Sequence, residues 1–533
     1  LTQKIIRKLK SGTWYPFYNT FYEKTSIDPG EILLVSRSGL ALESNILAIL
    51  QELSLPEYKG FRIVLAVHQN HRDAILRKLE HYHLKPDSIV QTGTLPYYYH
   101  LSKAGCLITD TTFPGRYIKK EGQVILNVWH GTPLKKMGQD NPAERYDTGN
   151  VMRNLLMADY LVFPNVFMEE KMSDAYNLRE LFQGTVLREG YPRNTVFFDG
   201  DRGLKMKEKL GFEGCQLSLY MPTFRGRSDS VKEEEYISQV RDHLSRLDHL
   251  LEDNQILLVK LHPFVQNLLP VDNYKHIRSF PSEYDTYEVL NACDVLITDY
   301  SSVMYDYANT GRKIILFAYD REEYLSERGM YEDITGYPFP VVSSPEEIAA
   351  ELQEHSGCPD RAFLDKYCTY ERAEATSCIC RHVLLHENAC NEYKMPGTKK
   401  KKVLLYAGSL KPNGITTAYF SLLRNLDRSK CEYYVSFRSP SIKEDPERLN
   451  GVPEGYHYYP LATEMNLDIL TGIAQLCYLK WGITSFGIRN RLQKAYKREW
   501  KKHFGFAAFD HVVHFDGYEN YMLALFEQAP CIR

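Results

Sequence analysis

The sequence predicts an α/β protein with parallel sheets, laid out as two α/β lobes followed by a third. Three observations carry that expectation. The 533 residues exceed what one hydrophobic core holds; short β-rich runs alternate with helical patterns; and the alternation restarts after two joins. Composition agrees, since 44% apolar and 25% charged residues describe a globular chain rather than a disordered or collagen-like one. Lysine plus arginine (65) nearly balances aspartate plus glutamate (68), so the net charge of −3 excludes a globally basic nucleic-acid binder.

Residues 1–30 read as an N-terminal extension, and the first lobe as 31–195. Its strands are expected at EILLVS (31–36), FRIVLAV (61–67), CLITDTTF (106–113), VILNVWH (124–130) and YLVFPN (160–165). A turn-rich stretch, 190–203, precedes the second lobe, placed at 196–390 with strands at 216–224, 254–264, 294–300 and 313–319. Asp199 and Asp201 in that join read as a turn before a helix rather than a metal site. A basic linker, 391–402, carries Pro396, Gly397 and four consecutive lysines into a third lobe, 403–533, which opens with VLLYAGSL (403–410).

No run of 18 apolar residues is present and residues 1–20 lack a secretory signal, so a cytoplasmic protein is expected, with the start at Leu1 leaving an upstream segment open. The eleven cysteines form no C-x-x-C pair and read as reduced thiols without zinc spacing.

Four segments carry chemistry. Asn127–Lys136 runs an apolar strand into His130, Gly131, Thr132 and Pro133, which predicts a sharp turn and a helix capped by Thr132. His130 is then expected at the carboxyl edge of a sheet, suited to acid/base work. A second strand ends in Lys260-Leu261-His262-Pro263, holding His262 at another edge. Asp294–Ala308 passes through Thr298-Asp299-Tyr300-Ser301-Ser302 into a helix whose N-terminus and serine hydroxyls make a phosphate cradle. Met221–Arg227 delivers Thr223, Arg225 and Arg227, and arginine forks match phosphate oxygens.

The stretches WHGTPLK (129–135), GYPRN (190–194), PTFR (222–225), HPF (262–264) and TDYSS with Asp306 (298–306) together resemble the CDP-glycerol glycerophosphotransferases of the teichoic-acid polymerase type, over about residues 30–385. The resemblance implies a GT-B-like fold, two Rossmann-like lobes facing a cleft. It further implies transfer of glycerol phosphate or ribitol phosphate from a CDP-alditol to a hydroxyl of a teichoic-acid or capsule-type polymer, with CMP released. In that reading His130 is the general base on the acceptor lobe. His262 and Arg225 sit by the donor diphosphate with Thr223 and Lys260, Ser301 and Ser302 cap the helix facing it, and Gly131, Thr132, Lys135, Arg193, Asp299 and Asp306 support the site. Where that family has an Asp-Gly-Lys-Ala-like turn, this chain has Arg372-Ala373-Glu374-Ala375.

No metal or other cofactor is expected, because arginine and a helix end cover the phosphate charge. All the matching stretches precede residue 394, so residues 1–393 are expected to carry the transfer by themselves. Two rival readings remain at this level: a nucleotide-sugar-dependent GT-B glycosyltransferase, and a non-catalytic polymer-binding module. The third lobe resembles, more weakly, the first lobe of a retaining GT-B glycosyltransferase through residues 403–417. Within it Ile488, Leu492, Tyr496 and Trp500 recur every fourth residue among Arg489, Arg491, Lys494, Lys497, Arg498, Lys501 and Lys502, a pattern that fits a helix lying on an anionic membrane surface, the preferred reading, and equally a helix packed on its own sheet with a solvated basic flank. The expected partners are therefore a CDP-alditol, a lipid-linked or polysaccharide acceptor and the inner face of the cell membrane.

Overall fold

The computed structural model describes residues 15–223, 225, 230–261, 265, 268–271, 273–327, 329–462, 465–516 and 519–531. Its strands are β1 Asp28–Val35, β2 Arg62–Val67, β3 Ser88–Gln91, β4 Ala104–Thr109, β5 Val124–Asn127, β6 Tyr160–Phe163, β7 Thr185–Arg188, β8 Gln216–Met221 and β9 Gln255–Val259. They continue as β10 Ile277–Ser279, β11 Val295–Thr298, β12 Lys313–Phe317, β13 Val341–Val342, β14 Glu392–Tyr393, β15 Lys401–Tyr406, β16 Cys431–Arg438, β17 His457–Leu461 and β18 His511–His514.

Three sheets result: β14-β7-β6-β5-β4-β1-β2-β3, β10-β9-β8-β11-β12-β13 and β17-β16-β15-β18. Every pairing is parallel except the short edge pair of β14 with β7. The central strands are apolar on both faces, as helices covering both sides of a parallel sheet require; all six residues of β4 are buried. In each sheet the chain builds outward from its first strand, then returns to that strand's other side. In the first this leaves a crevice past the ends of β1 and β4, in the second past the ends of β8 and β11. Arg37 and Asp110 follow the ends of β1 and β4 at the first crevice, and Thr223 and Asp299 follow the ends of β8 and β11 at the second.

The two edges face each other. The helix Ser44–Glu52 of the first lobe donates its Ser44 N–H to Asp285 Oδ2 in the second (2.9 Å), and Asp285 N–H donates to Tyr82 OH (2.7 Å). This is the two-lobed GT-B-like arrangement that the sequence predicts.

Four details differ from the expectations. First, the chain returns to the first lobe near its expected exit from the second: helix Ala375–Leu384 buries Ile379, Cys380 and Val383 in the first lobe's core, and β14 extends that lobe's sheet. The apolar face of a helix does not say in sequence which lobe covers it, so the second lobe's end at 390 comes out too late and a linker starting at 391 too early. Second, no helix follows Thr132; residues 128–134 are irregular, and Thr132 Oγ1 instead accepts from Asn165 Nδ2 (2.8 Å). Third, the third lobe is docked, not tethered. Its Tyr459, Tyr496, Trp500 and Phe504 share one core with the first lobe, and Gly149 lies so close to Pro460 that a Cβ would sit 2.2 Å from its carbonyl oxygen.

Fourth, the basic helix, Phe486–Phe504, turns its apolar face inward: Leu492, Tyr496 and Trp500 are buried against the lobe, and Lys502 is fully buried in an ion pair with Glu499 (2.5 Å). An amphipathic pattern marks a buried face without saying whether protein or lipid covers it. No helix among the described residues is long and apolar enough to cross a membrane. All eleven cysteines are free thiols.

Candidate active site

β5 ends at Asn127, and the next two peptides are gripped from both sides. Asn127 Oδ1 accepts the Trp129 N–H (2.9 Å), while Asn45 Nδ2, from the helix Ser44–Glu52, donates to the Trp129 carbonyl (3.0 Å). Trp129 is thereby held at φ 48°, a conformation a bulky side chain adopts only under constraint. Arg37 (φ 44°) and Ser44 (φ 60°) share this left-handed backbone, and both line the same cavity. Such strained positions cluster where geometry is set by function.

The Trp129 turn aims His130 into a cavity of about 420 Å³ between the lobes. Arg37, Glu43, Ser44, Asp110, Thr111 and His130 line it from the first lobe, with Arg193 from the join; Met221, Lys260, Asp285, Thr286, Tyr287, Ser301, Ser302 and Val303 line it from the second. The His130 ring stacks on Trp129 with centroids 4.3 Å apart. Its Nδ1 lies 3.0 Å from the Asp110 carbonyl oxygen, an acceptor only, so Nδ1 carries the proton and Nε2 presents a lone pair. Desolvation between the lobes lowers the His130 pKa, with the Asp110 carbonyl opposing and the Arg193 and Arg37 charges reinforcing the shift. A neutral imidazole at pH 7 follows, the form a general base needs.

Arg193 joins the lobes beneath this residue. Its Nη1 donates to the His130 carbonyl (3.0 Å) and to Ser44 Oγ (3.2 Å), and its Nη2 to Asp306 Oδ2 (2.8 Å). Asp306 also accepts from Asn194 Nδ2 (3.0 Å) and Tyr287 OH (2.9 Å). Gly131 fits here because a Cβ would stand 2.9 Å from Ser302 Oγ across the cleft. Half-buried behind them, Glu371 accepts from Asn194 Nδ2 (2.7 Å) and Tyr191 N–H (3.2 Å); desolvation of its carboxyl, with Asp306 nearby, pushes its pKa up to about 8.

The charges facing the cavity are mixed. Lys260 Nζ donates to Thr286 Oγ1 and its pKa is lowered by desolvation, against Glu43 and Asp285, which raise it. Burial pushes the Glu43 carboxyl up, but Lys260 and Arg37 outweigh it and hold the group below its ordinary value; the Arg37–Glu43 ion pair measures 2.5 Å. Asp110 accepts the Arg37 N–H (2.7 Å), yet burial still raises it to about 6. Ser302 precedes the short helix Val303–Tyr307 without a side-chain capping bond, and Ser301 Oγ accepts weakly from Val303 N–H (3.5 Å). Among the described residues no group of three or more His, Cys, Asp or Glu side chains is arranged to hold a metal ion.

Of the residues the sequence singles out, the structure brings His130, Lys260, Arg193, Ser301 and Ser302 to one cavity, with Gly131 and Asp306 directly behind. It does not bring Thr223 and Arg225 there. Arg225 pairs with Asp320 (2.6 Å) and Asp299 (2.9 Å), and Thr223 Oγ1 donates to Asp299 Oδ1 (2.6 Å), so the three brace the turn before Tyr300. Contact of Arg225 with a donor phosphate would require exchanging these carboxylates for the phosphate. Thr132 is buried against Asn165, and Lys135 reaches the second lobe, its Nζ 5.3 Å from the Tyr324 ring centroid. His262 lies outside the described residues, as does Arg227. Arg37, Glu43, Asp110, Asp285, Tyr287 and Glu371 are absent from the sequence reading. Arg37 was within reach, since it follows the end of a predicted strand, and Asp110 as a carboxylate inside the apolar run of another; Glu371 had no local signal at all.

The Asp-Gly-Asp join is a helix start. Asp199 Oδ1 accepts the Arg202 N–H (3.0 Å) at the head of helix Gly200–Lys209. At the departing Arg-Ala-Glu-Ala turn, Arg372 pairs with buried Glu189 rather than facing the cavity.

Residues 17–385 match the sequence profile of the CDP-glycerol:poly(glycerophosphate) glycerophosphotransferases. Among curated relatives, a teichoic acid poly(glycerol phosphate) polymerase of Bacillus spizizenii is 26% identical over 373 residues, 66% of this chain and 91% of that protein. A teichoic acid ribitol-phosphate polymerase, TarL of Staphylococcus aureus, is 26% identical over 314 residues, 55% of this chain and 54% of that one. Among solved structures, the wall teichoic acid polymerase TagF superposes with a TM-score of 0.59 at 24% identity, covering 73% of this chain and 97% of its own, a likeness of fold.

Proposed function

The chain belongs to the CDP-glycerol:poly(glycerophosphate) glycerophosphotransferase family, and from that premise we propose that it transfers an alditol phosphate, glycerol phosphate or ribitol phosphate, from a CDP-alditol to a hydroxyl of a teichoic-acid-type polymer. The observation that supports this most is the neutral His130, its Nε2 open to a cavity that spans the carboxyl edges of both sheets.

In the proposed step the acceptor oxygen bonds to the β-phosphorus while the bond from that phosphorus to the bridging oxygen of CMP breaks. The hydroxyl proton passes to His130 Nε2, and CMP leaves with the bonding pair. General-base assistance of this kind contributes roughly 10²–10⁴-fold. Arg37 and Lys260, with the backbone at Ser301 and Ser302, face the space where the diphosphate charge would lie. Arg193 is a positioning residue: it fixes the His130 peptide and ties it to Asp306 in the opposite lobe. No resident metal is assigned a role, since positioning and charge neutralisation are the main tasks of phosphoryl transfer. The acceptor is proposed to be lipid-linked or a polysaccharide, reached by a peripheral protein at the cytoplasmic face of the membrane.

Incubation with CDP-glycerol, CDP-ribitol or a UDP-sugar, each with a short poly(glycerol phosphate) acceptor, tests the reading by chromatography of the released nucleotide. CMP from a CDP-alditol is expected. UDP release would favour a sugar transferase, and no release with any donor would favour a binding module.

A further inference from the structure

The third lobe carries a surface that lies outside the cavity between the first two lobes. Between Leu470 and Phe486, eight large apolar side chains are exposed: Leu470, Ile473, Leu476, Tyr478, Leu479, Trp481, Ile483 and Phe486. Phe486 is 81% exposed, Trp481 62% and Leu470 60%, the exposure of side chains with almost nothing packed on them. Elsewhere among the described residues such exposed side chains are scattered, as solvated surfaces allow.

Geometry explains the concentration. On helix Ile469–Trp481, Thr471 and Ala474 face inward and are buried, while Leu470, Ile473 and Leu476 recur every third residue on the outer side. In the last turn Tyr478, Leu479, Lys480 and Trp481 are all exposed, so the end of the helix projects from the lobe. Gly482, at φ 63°, then reverses the chain into the helix Phe486–Phe504.

We propose that this projecting turn docks the protein on an anionic lipid surface, with Trp481, Ile483 and Phe486 entering the acyl boundary and the neighbouring basic residues meeting the headgroups. This deepens the membrane part of the reading above, but places the contact on a different element from the one the sequence pattern suggests. Charge selects the occupant. No aspartate or glutamate occurs from Ile469 to Arg498, where Lys480, Arg489, Lys494 and Lys497 are exposed, while Arg491 pairs with Asp468 (3.6 Å) and Arg498 is buried against Glu23; the whole chain is slightly acidic. Lys494 and Lys497, with Lys501 beyond them, are exposed on the outward side of their helix. A second copy meeting the same face about a two-fold axis would set these cations against one another. A bilayer rich in anionic headgroups satisfies both the apolar tip and its basic flank.

Flotation of the full chain with phosphatidylglycerol-containing vesicles, against pure phosphatidylcholine vesicles, tests the proposal. The unaltered chain should float with the anionic vesicles, and less so at high salt. Combined Leu476→Glu, Trp481→Glu and Phe486→Glu should cut that binding at least tenfold, while Leu204→Glu, which alters a side chain exposed on the second lobe, should leave it unchanged. Lys494→Glu, Lys497→Glu and Lys501→Glu together should weaken binding and remove its salt dependence. CMP release onto a soluble acceptor should be the same in the triple apolar variant, which separates failure of docking from failure of the transfer reading. Anionic binding that survives the triple variant, no binding by the unaltered chain, or self-association that the triple variant abolishes without any vesicle binding would each overturn the proposal.

Discussion

His130 is oriented by two asparagines, a strained tryptophan and one backbone carbonyl, and the nitrogen that the carbonyl engages is Nδ1, not Nε2. Because desolvation lowers its pKa, the basic form persists as pH falls past the ordinary histidine value near 6.5. A pH profile of kcat/KM should therefore keep its acid limb below that value, and His130→Ala should cost roughly tenfold or more in turnover at pH 7 with an unchanged melting curve. Retained activity would remove the base from the account. His262→Ala is expected to cost as much, on the sequence argument alone. Glu371 makes a different prediction. Its folded pKa of about 8 exceeds the ordinary glutamate value of 4.5, so the folded state keeps a proton that the unfolded chain releases, and its contribution to stability declines as pH rises from about 4.5 to 8. Glu371→Gln, which cannot ionise, should gain in melting temperature relative to the unaltered chain between pH 5 and pH 8. A difference that stays flat would mean that Glu371 is ionised in the folded protein.

At the scale of elements, strands and their order were legible because buried parallel strands write themselves as short Val, Ile and Leu runs. β2, β5, β6, β8, β9, β11 and β12 all fall within stretches expected from sequence, and β1 and β4 overlap theirs but begin two or three residues earlier. What failed was the meaning of faces. Thr132-Pro133 has the residues of a helix start, but the WHG turn continues across the cleft as irregular chain, with Lys135 pairing to Met330 of the second lobe. The helix Phe486–Phe504 has the periodicity expected of it and buries its apolar stripe in the third lobe, where Tyr496 and Trp500 join a core that reaches into the first. That docking has a pin. Arg153 in helix Gly149–Met157 is fully buried, donating to Pro114 O (2.7 Å), Tyr117 O (3.0 Å) and Lys502 O (3.2 Å). Arg153→Met would leave these carbonyls without their donor, and a loss of about 3 kcal/mol is expected in denaturant unfolding. A change within about 0.5 kcal/mol would show that the lobes do not depend on this contact.

The whole molecule joins two lobes in one site, with a third lobe fastened to the first. The shared core revises the expectation for residues 1–393: the cavity residues all lie within that span, but cutting there would uncover the first-lobe surface now covered by Tyr459, Trp500 and Phe504. The sequence reading missed this because contacts between residues some 350 positions apart, such as Arg153 with Lys502, leave no local pattern. Arg37 and Lys260 face the cavity, which leads to the expectation that EDTA spares most activity. Complete loss that Mg²⁺ restores would require metal help on the diphosphate. The central claim, alditol-phosphate transfer in the cleft between the lobes, is tested most directly by phosphorus NMR of a reaction containing CDP-glycerol and a hydroxyl-terminated acceptor. The account predicts one new phosphodiester for each CMP formed, and loss of both signals together in His130→Ala. Glycerol phosphate released to water without a phosphodiester, or full product formation by His130→Ala, would contradict it.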